Sequence, residues 1–426
     1  MEQEIIAIVI FVVVIGAIMT EKVHRAAAAL AGTVALLLTG VLTFDEAVSY
    51  IDFNTLGVLV GMMMFVAVVK HSGLFEYVSI KSAKMAHGDP WKIMVMFMII
   101  TAFCSAFLDN VTTVLLMGPM TLTIGKMLKI NPVPILLGQI FASNIGGTMT
   151  LIGDPPNIMI GSAAGLDFLD FVENTGVACI IGLIAVIFFM KFAYKKKLLA
   201  DQDAIKDVME LDESKAITDR RLLHESVVMI ALVIVAFILH GHFGIQTATV
   251  ALTAAAIMMV IGGQDIDEVV GDVEWPTLVF FTGLFIVVGG MVKTGVIKQL
   301  ATLIMQASGG HLVATMMILL WASAFLSAIL DNIPFVATLI PLILAMGQQG
   351  MDITPLWWAI SLGACLGGNG TQIGASANVV LSGISGRHGY PISFNDYTKV
   401  GMPVMLITVF IAMIFLLLKY QVGLPI

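Results

Sequence analysis

A long apolar stretch of this chain, residues 136–161, is interrupted by the sequence Gly-Asp-Pro-Pro-Asn at residues 153–157. A helix cannot run smoothly through these residues, because the second proline has no backbone N–H and each proline disfavours helix at the residue before it. The chain is 59% hydrophobic and only 12% charged, with a mean hydropathy of +1.00, so we expect it to span a membrane. At membrane depth a broken backbone survives only where it is buried in protein or lines a cavity. The interruption therefore predicts a binding site inside the membrane.

The interrupted stretch and the polar residues that precede it occur twice in the chain. Leu-Asp-Asn at 108–110 recurs at 330–332, and the segment 146–157 recurs at 367–378, so both motifs repeat at nearly the same offset. Broken segments in corresponding positions of two halves are typical of secondary transporters, where they meet at the substrate site.

Apolar segments divide the chain into two halves of the same design. Each half has five predicted crossings and one long apolar segment with a polar tip, which we interpret as a re-entrant helical hairpin. The predicted units are a first repeat at 1–192 (hairpin 93–125, broken helix 133–161), a linker at 193–225, and a second repeat at 226–426 (hairpin 312–346, broken helix 356–384). Because five crossings is an odd number, the second repeat must be inverted. The prediction is an all-α polytopic membrane protein with two inverted repeats.

The basic residues predict the orientation of the chain. With both termini outside, only Lys293, Lys298 and Lys419 of the 21 Lys and Arg lie outside, as the positive-inside rule favours. We therefore expect a multi-pass protein of the plasma membrane, the inner membrane of a bacterium, whose first apolar segment is retained. The polar linker is expected in the cytoplasm, as a hydrated amphipathic connector or a regulatory segment.

Two acids, Asp109 and Asp331, occupy the predicted hairpin tips. An ionised Asp at the bilayer centre costs roughly 2.5–3.5 kcal/mol on insertion scales, so each acid needs a proton or a partner. No Lys or Arg lies in either predicted hairpin or broken helix, so we expect a site without a basic residue. The acids are then protonated, capped by helix N–H groups, or paired with a cation such as Na⁺. A structural cap and a proton or cation site are both open interpretations.

Neutral polar side chains surround these acids in the sequence. Their amide and hydroxyl groups suit hydrogen bonding or coordination of a solute, and equally suit backbone groups freed by the breaks. The candidates are Asn110, Thr112, Thr113, Asn144, Thr148, Thr150, Asn157, Asn332, Asn369, Thr371, Ser376 and Asn378. We expect the backbone to break at Gly146, Gly147, Gly153, Pro155, Pro156, Gly367, Gly368 and Gly374. No strand precedes these glycines, so nucleotide binding is not indicated.

Asp154 makes the two halves chemically unequal, because its counterpart is Ala375. This third carboxylate either carries the coupling proton or sodium ion, or caps the half-helix that follows it. The three cysteines have no metal-ligand spacing. Cys104 and Cys365 lie near the predicted site, where they either pack as small apolar residues or meet a thiophilic solute.

Four segments resemble the ion transporter superfamily, most of all its arsenite permease and sodium–proton antiporter branch, which includes the melanosomal P protein. They are FLDNVTTVLLMGPM, GDPPNIMIGSAAGLDF, FLSAILDNIPFVATLIPLI and GGNGTQIGASANVVLSGI. The resemblance implies that hairpin tips and breaks bind substrate and coupling ion in a transport region that moves against a scaffold. It also implies a homodimer. Dicarboxylate transporters of the superfamily carry Ser-Asn-Thr at the tips where this chain has Leu-Asp-Asn.

We therefore expect a secondary transporter that works by alternating access and is not an enzyme. The leading hypothesis is proton-coupled export of arsenite or antimonite, in which Asn and Thr groups hold neutral As(OH)₃ and an Asp exchanges the proton. Sodium–proton antiport is the first alternative, and transport of a carboxylate or inorganic anion coupled to Na⁺ or H⁺ is the second. No cofactor beyond the coupling ion and no nucleic acid partner is expected. A channel is disfavoured by the paired breaks, and a membrane-embedded enzyme by the absence of Ser–Lys, GxGD and HExxH arrangements.

Overall fold

The computed structural model describes residues 2–20 and 22–421, and every regular element within them is helical. The first repeat contains α1 (Glu2–Thr20), α2 (Arg25–Leu38), α3 (Phe44–Ser49), α4 (Phe53–Lys70), α5 (Leu74–Met85), α6 (Pro90–Phe107), α7 (Asn110–Met127), α8 (Val133–Thr148), α9 (Pro155–Ala164), α10 (Phe168–Phe171) and α11 (Val177–Tyr194). A π-helical turn, Val172–Gly176, joins α10 to α11. The linker contains α12 (Gln202–Met209) and the 3₁₀ turns Lys195–Lys197 and Glu213–Ala216.

The second repeat contains corresponding elements in the same order, except that one helix, α22, takes the place of α10, the π-helical turn and α11. They are α13 (Arg220–Phe243), α14 (Thr247–Gly262), α15 (Ile266–Gly271), α16 (Trp275–Lys293), α17 (Val296–Ala307), α18 (Leu312–Ile329), α19 (Asn332–Gln348), α20 (Thr354–Gly367), α21 (Ser376–Arg387) and α22 (Phe394–Tyr420). The predicted all-α fold with two inverted repeats is confirmed.

Among the described residues, eight helical runs are long and apolar enough to cross a membrane. They are Glu2–Thr20, Phe53–Lys70, Pro90–Phe107, Phe168–Lys197, Arg220–Phe243, Trp275–Lys293, Leu312–Ile329 and Phe394–Tyr420. Two of these, α6 and α18, are the first arms of the hairpins. The first hairpin arm begins at Pro90, three residues before the predicted start at residue 93. It does so because Asp89 Oδ1 accepts the N–H groups of Trp91 (2.9 Å) and Lys92 (3.1 Å) and so caps the helix.

The two repeats pack against each other reciprocally. Helix α4 of the first repeat packs on α14 of the second, and their counterparts α16 and α2 pack in the same way. A Cβ atom added at Gly61 would lie 2.5 Å from the carbonyl carbon of Ala251, and one added at Gly283 would lie 2.8 Å from that of Ala29. The two glycines occupy corresponding positions of the two repeats, and so do the two alanines. The same close helix crossing is therefore built twice, about a pseudo-two-fold axis.

Surface contacts between polar side chains follow the same symmetry. The Lys293 ammonium contacts Glu46 on α3, and its hydrogen bond lowers the pKa of that carboxyl to about 2. The counterpart positions are occupied by His71 and Glu268, whose Nε2 and Oε1 atoms are 3.8 Å apart. Both contacts tie the end of a long helix in one repeat to a short surface helix in the other.

The helices form two packed groups. We call α1–α4 and α13–α16 the scaffold group, and α6–α11 and α18–α22 the hairpin group. Within the hairpin group, each first hairpin arm packs along a broken helix: α6 on α8, and α18 on α20. The tip residues Leu108 and Leu330 have extended backbones, and Asp109 and Asp331 then cap the second arms.

The broken helices differ in one respect from the expected positions of the breaks. Gly146 and Gly147 lie within the last turn of α8, which continues to Thr148, and do not interrupt it. Gly146 is needed for packing, since an added Cβ would lie 2.1 Å from the carbonyl oxygen of Ala102 on α6. The break itself runs from Met149 to the start of α9 at Pro155. In the second repeat, α20 ends at Gly367 and α21 begins at Ser376.

Replacing Gly146 by Ala is expected to destabilise the protein by about 1–3 kcal/mol, because the new methyl group overpacks the contact with Ala102. Gly16 on α1 is the matched control: an added Cβ there meets no atom within 4 Å. We expect Gly16→Ala to be neutral or to stabilise by up to about 1 kcal/mol. Thermal unfolding of the purified variants in detergent measures the difference, and equal melting temperatures would contradict the tight α6–α8 contact.

The linker is packed onto the first repeat and is hydrated only on its outer face. Helix α12 buries Ala204 and Val208 against α5 and α7. Lys84 on α5 donates from Nζ to the carbonyl of Leu211 (2.8 Å) and to Oε2 of Glu213 (2.6 Å). The hydrogen bond from Lys84 lowers the pKa of the Glu213 carboxyl. The linker is thus an ordered segment that packs across α5. Helix α5 itself joins the scaffold group to the first hairpin.

Candidate functional site

The hairpin tips and helix breaks of both repeats meet through a network of buried asparagines. Asn144 on α8 donates from Nδ2 to Oδ1 of Asn369 (3.0 Å) and to Oδ1 of Asn378 (2.9 Å). Its own Oδ1 accepts from Nδ2 of Asn110 at 3.4 Å. Because Asn110 and Asn144 belong to the first repeat and Asn369 and Asn378 to the second, these bonds join the two repeats in the interior of the protein.

Asp109 caps the second arm of the first hairpin. Its Oδ1 accepts the backbone N–H of Thr112 at 2.9 Å, and the Thr112 hydroxyl donates to Oδ2. The side chain is buried, and no Lys or Arg pairs with it in the part of the chain that the structure describes. Asp109 is therefore both a helix cap and a buried carboxyl group without a basic partner.

Asp331, the counterpart of Asp109, has a basic partner. Its Oδ1 accepts the N–H of Ile333 at 3.2 Å, and its Oδ2 contacts a terminal nitrogen of Arg25 at 3.1 Å. The Ser376 hydroxyl donates to the same Oδ2 at 2.9 Å and accepts from Arg25 at 2.7 Å. Arg25, Asp331 and Ser376 therefore form a closed triangle of charge-assisted hydrogen bonds.

The expectation of a site without a basic residue is wrong. Arg25 opens α2, 306 residues before Asp331, and so lies outside the hairpins and broken helices in which basic residues were sought. Its long side chain reaches the tip of the second hairpin from the scaffold group. Only the tertiary contact reveals this, because a basic residue at a helix end normally indicates a membrane surface.

Arg25 also connects the hairpin tip to a second acid that the sequence did not single out. Its other terminal nitrogen donates to the Thr277 hydroxyl at 3.1 Å, which in turn donates to Oε2 of Glu274 at 3.1 Å. The guanidinium carbon lies 5.2 Å from the centre of the Phe280 ring. The internal repeat offers a sequence signal for this acid, because Glu274 and Thr277 align with Asp52 and Thr55 of the first half. In the structure the Thr55 hydroxyl donates to Asp52 in the same way, at 2.6 Å.

Asp154 does not cap α9: no backbone N–H of that helix donates to its side chain. Its two carboxylate oxygens instead accept from Nδ2 of Asn332, in the other repeat, at 3.4 and 3.2 Å. Asp154 is buried and borders a narrow cavity of about 20 Å³. The cavity, which we call the inner cavity, is lined by Arg25, Leu59, Met63, Asp109, Asn110, Val111, Asp154, Pro155, Glu274, Thr277, Asn332, Ile333 and Ser376.

Several predicted site residues instead hold the breaks together. Asn157 donates from Nδ2 to two carbonyls in the last turn of α8 and to one within the break, at 2.9–3.3 Å, and its counterpart Asn378 donates to two carbonyls, at 2.7 and 2.9 Å. The hydroxyls of Thr150 and Thr371 donate to backbone carbonyls at the ends of α6 and α18. The Thr148 hydroxyl donates to a carbonyl of its own helix at 2.6 Å. These groups replace backbone hydrogen bonds that the breaks remove.

The remaining candidates are buried near the network. Among the described residues, Thr113 Oγ1 and Asn369 Nδ2 have no hydrogen-bond partner. Cys365 is fully buried, with its sulfur 3.7 Å from Oδ1 of Asn157. Cys104, on α6, is partly exposed. Of the two thiols, Cys365 is thus the one that lies beside the polar cluster.

The chemistry of the inner cavity follows from its charges. Asp109, Asp154 and Glu274 converge on it, while Arg25, the one basic residue among its described lining residues, is engaged by Asp331. Buried carboxylates without enough basic partners must bind protons or cations. No three His, Cys, Asp or Glu side chains are grouped as a metal site in the described chain, so any cation would have mixed carboxylate, amide and hydroxyl ligands.

The sequence profile of the CitMHS citrate transporter family matches residues 15–363. The chain belongs to this family. This citrate transporter family member is 44% identical over 428 residues to a Mycobacterium tuberculosis protein described as an uncharacterized transporter, with 99% of each chain aligned. It is 31% identical over 505 residues to the Homo sapiens P protein, covering 99% of this chain and 60% of the P protein. The resemblance to the ion transporter superfamily is therefore confirmed, and the protein is a membrane-embedded transporter.

A solved structure has the same fold. The crystal structure of the Alcanivorax borkumensis YdaH transporter matches with a TM-score of 0.59 at 15% identity, covering 90% of this chain and 89% of that one. At this identity the similarity concerns the fold alone. It supports the arrangement of repeats, hairpins and breaks in this citrate transporter family member.

Proposed function

We propose that this transporter exchanges a small monovalent cation, sodium foremost, for protons by alternating access. The observation that carries the proposal is the inner cavity of about 20 Å³, on which two buried acids, Asp109 and Asp154, and the partly buried Glu274 converge beside one engaged arginine. A space of this size holds one water-sized particle. With few positive charges nearby, the carboxyl groups hold protons when no cation is bound. A cation that enters must therefore displace these protons. Competition of cation and proton for the same oxygens is the basis of exchange.

Proton-coupled export of arsenite or antimonite is the second candidate, and Cys365 favours it. Its thiol is buried beside Asn157, within the cluster of Asn and Thr groups that would hold neutral As(OH)₃. Thiol sulfur is a soft ligand and suits a thiophilic solute. The second candidate ranks lower because Cys365 does not line the inner cavity.

Transport of a carboxylate, which the family description suggests, has less support from this site. A di- or tricarboxylate anion needs positive charge or free helix N–H groups. Arg25 is already bound to Asp331, and Asp109 and Asp331 each accept a first-turn N–H group, of α7 and α19 respectively. The N-terminus of α21 has no side-chain cap, but no basic residue other than Arg25 borders the inner cavity among the described residues. Asp154 and Glu274 are two further acids, and they would repel the anion.

The test is the internal pH of proteoliposomes under an imposed pH gradient, with sodium, lithium, arsenite, antimonite and citrate added one at a time. We expect sodium or lithium to trigger proton flux, and choline and protein-free vesicles to give none. A flux triggered only by arsenite or antimonite would replace the lead with the second candidate. A flux triggered only by citrate would contradict both.

A further inference from the structure

Two cavities lie at counterpart helix junctions of the two inverted repeats and therefore enter the protein from opposite faces; their linings correspond at these junctions and differ on the hairpin side. The first, about 280 Å³, lies where α1 meets α2 and is bordered by His24, Arg25, Asp331 and Ser376. The second, about 330 Å³, lies where α13 meets α14 and is bordered by His240, Gln246 and Thr247, among others. We call them the Arg25 vestibule and the Thr247 vestibule, because Thr247 is the counterpart of Arg25 in the second repeat.

The two vestibules end differently. Arg25 and Ser376 border both the Arg25 vestibule and the inner cavity, so a single layer of side chains separates the two spaces. No described residue that borders the Thr247 vestibule also borders the inner cavity. The Thr247 vestibule ends at Asn54, whose Nδ2 donates to the hydroxyls of Thr247 (3.0 Å) and Ser162 (3.3 Å), and Ser162 in turn donates to Oδ1 of Asp52 (2.9 Å). In this conformation the inner cavity is thus closest to the Arg25 vestibule.

The layer that separates the Arg25 vestibule from the inner cavity joins the two helix groups. Arg25 extends from α2 and also contacts Thr277 and Phe280 on α16, all in the scaffold group. Asp331 and Ser376 belong to the second hairpin and the second broken helix, in the hairpin group. Any displacement of the hairpin group along the scaffold must therefore break the bonds from Arg25 to Asp331 and Ser376.

The exposed fractions of the Arg25 and Asp331 side chains are 27% and 15%, so water in the vestibule already reaches the ion pair. Separating an ion pair that is partly exposed to water costs less free energy than separating a fully buried one, because water solvates the separated charges. The guanidinium occupies the position that a cation would take on Asp331. Separating the pair frees the Asp331 carboxylate at the boundary between the Arg25 vestibule and the inner cavity.

We propose that Arg25 is a tethered cation that gates the inner cavity: its guanidinium must leave Asp331 and Ser376 before a solute passes from the Arg25 vestibule. If the solute is a small cation, as in the proposed function on which this step rests, the entering cation competes with Arg25 for Asp331. The gate itself does not depend on which solute is carried. The counterpart Thr247 carries no charge, so only one of the two vestibules has a cationic gate.

The test measures access to the inner cavity and requires no transport. Met63 borders the inner cavity, and Val380 borders only the Arg25 vestibule. Met63→Cys and Val380→Cys are each introduced into the full chain, purified in detergent and treated with a small neutral hydroxyethyl methanethiosulfonate. Peptide mass spectrometry follows each thiol separately, and the parent protein gives the background from Cys104, Cys179 and Cys365.

We expect Arg25→Ala to raise the modification rate of Met63→Cys by at least about tenfold, since charge-assisted hydrogen bonds hold the gate. The rate at Val380→Cys should not change. Asn54→Ala, which opens the end of the other vestibule, is the matched control and should leave Met63→Cys slow. The neutral pair Arg25→Gln with Asp331→Asn should also speed labelling, and covers the case in which Arg25→Ala does not fold. An unchanged rate at Met63→Cys, or an equal rise with Asn54→Ala, would overturn the gate.

Discussion

Asp331→Asn is expected to reduce transport by about a hundredfold or more and to lower the melting temperature. The substitution leaves the Arg25 guanidinium without its carboxylate partner, between the Arg25 vestibule and the inner cavity, where the side chain is only 27% exposed. Removing one partner of a fully buried ion pair costs roughly 3–5 kcal/mol, and because water reaches this pair we expect the lower end of that range. Each 1.4 kcal/mol corresponds to about a factor of ten. The unpaired positive charge also repels any cation that approaches the inner cavity.

The double variant Arg25→Gln with Asp331→Asn separates the ion pair from the acid itself. Two neutral amides can hydrogen-bond to each other and leave no unpaired charge, so stability should largely return. Initial transport rates and thermal unfolding measure both effects. Asp272→Asn is the matched control, because the Lys70–Asp272 pair has a similar length, 3.2 Å, but side chains that are 50% and 36% exposed. Exposed pairs contribute little, and the control should behave as the parent does. A double variant as unstable as Asp331→Asn would argue against the pair.

Asp154→Asn is expected to reduce coupled proton flux by at least about a hundredfold while the protein stays folded. Asparagine has nearly the same size and its oxygen still accepts from Nδ2 of Asn332, so packing is retained. What is lost is the buried carboxyl group that binds a proton or a cation under the proposed function, and no Lys or Arg is paired with it in the described chain. Ala375, at the counterpart position, shows that the second broken helix forms without an acid there.

The control for Asp154 is Asp89→Asn, the same change at a position where Asp caps a helix. Asp89 Oδ1 accepts two N–H groups of α6, and Asn caps about as well as Asp. We expect parental flux and stability from this variant. Internal pH of proteoliposomes and melting temperature are measured together for both. Normal flux with Asp154→Asn would remove this acid from the exchange site and leave Asp109 and Glu274 as the proton-binding groups to test.

The positions of the hairpin tips and breaks could be predicted from the sequence because their signals are local. Pro155 and Pro156 cannot continue a helix, and Asp109 precedes a segment whose first turn it caps. Repetition at a constant offset then predicts that the same elements recur in the second half. Five apolar crossings per half leave inversion as the only arrangement of the two repeats.

The roles of individual polar groups were less predictable. Asn157 and Asn378 occur in the same motif as the cavity residues, yet their amides are used by backbone carbonyls of the breaks. Composition and spacing do not distinguish an amide that faces a cavity from one that completes a broken helix, because both are buried and polar. The direction of each side chain depends on which helix lies opposite.

The sequence by itself determined the membrane-spanning helical fold, the inverted repeats and the place of the acids at the hairpin tips, since these depend on hydropathy, helix-breaking residues and repetition. Only the tertiary structure decided which acids share one cavity and which acid has a positive partner. Arg25 and Asp331 are 306 residues apart and belong to different repeats, so no local pattern relates them. Their contact exists because the scaffold group places the start of α2 against the tip of the second hairpin, and charge interactions depend on distance in space and not on distance along the chain.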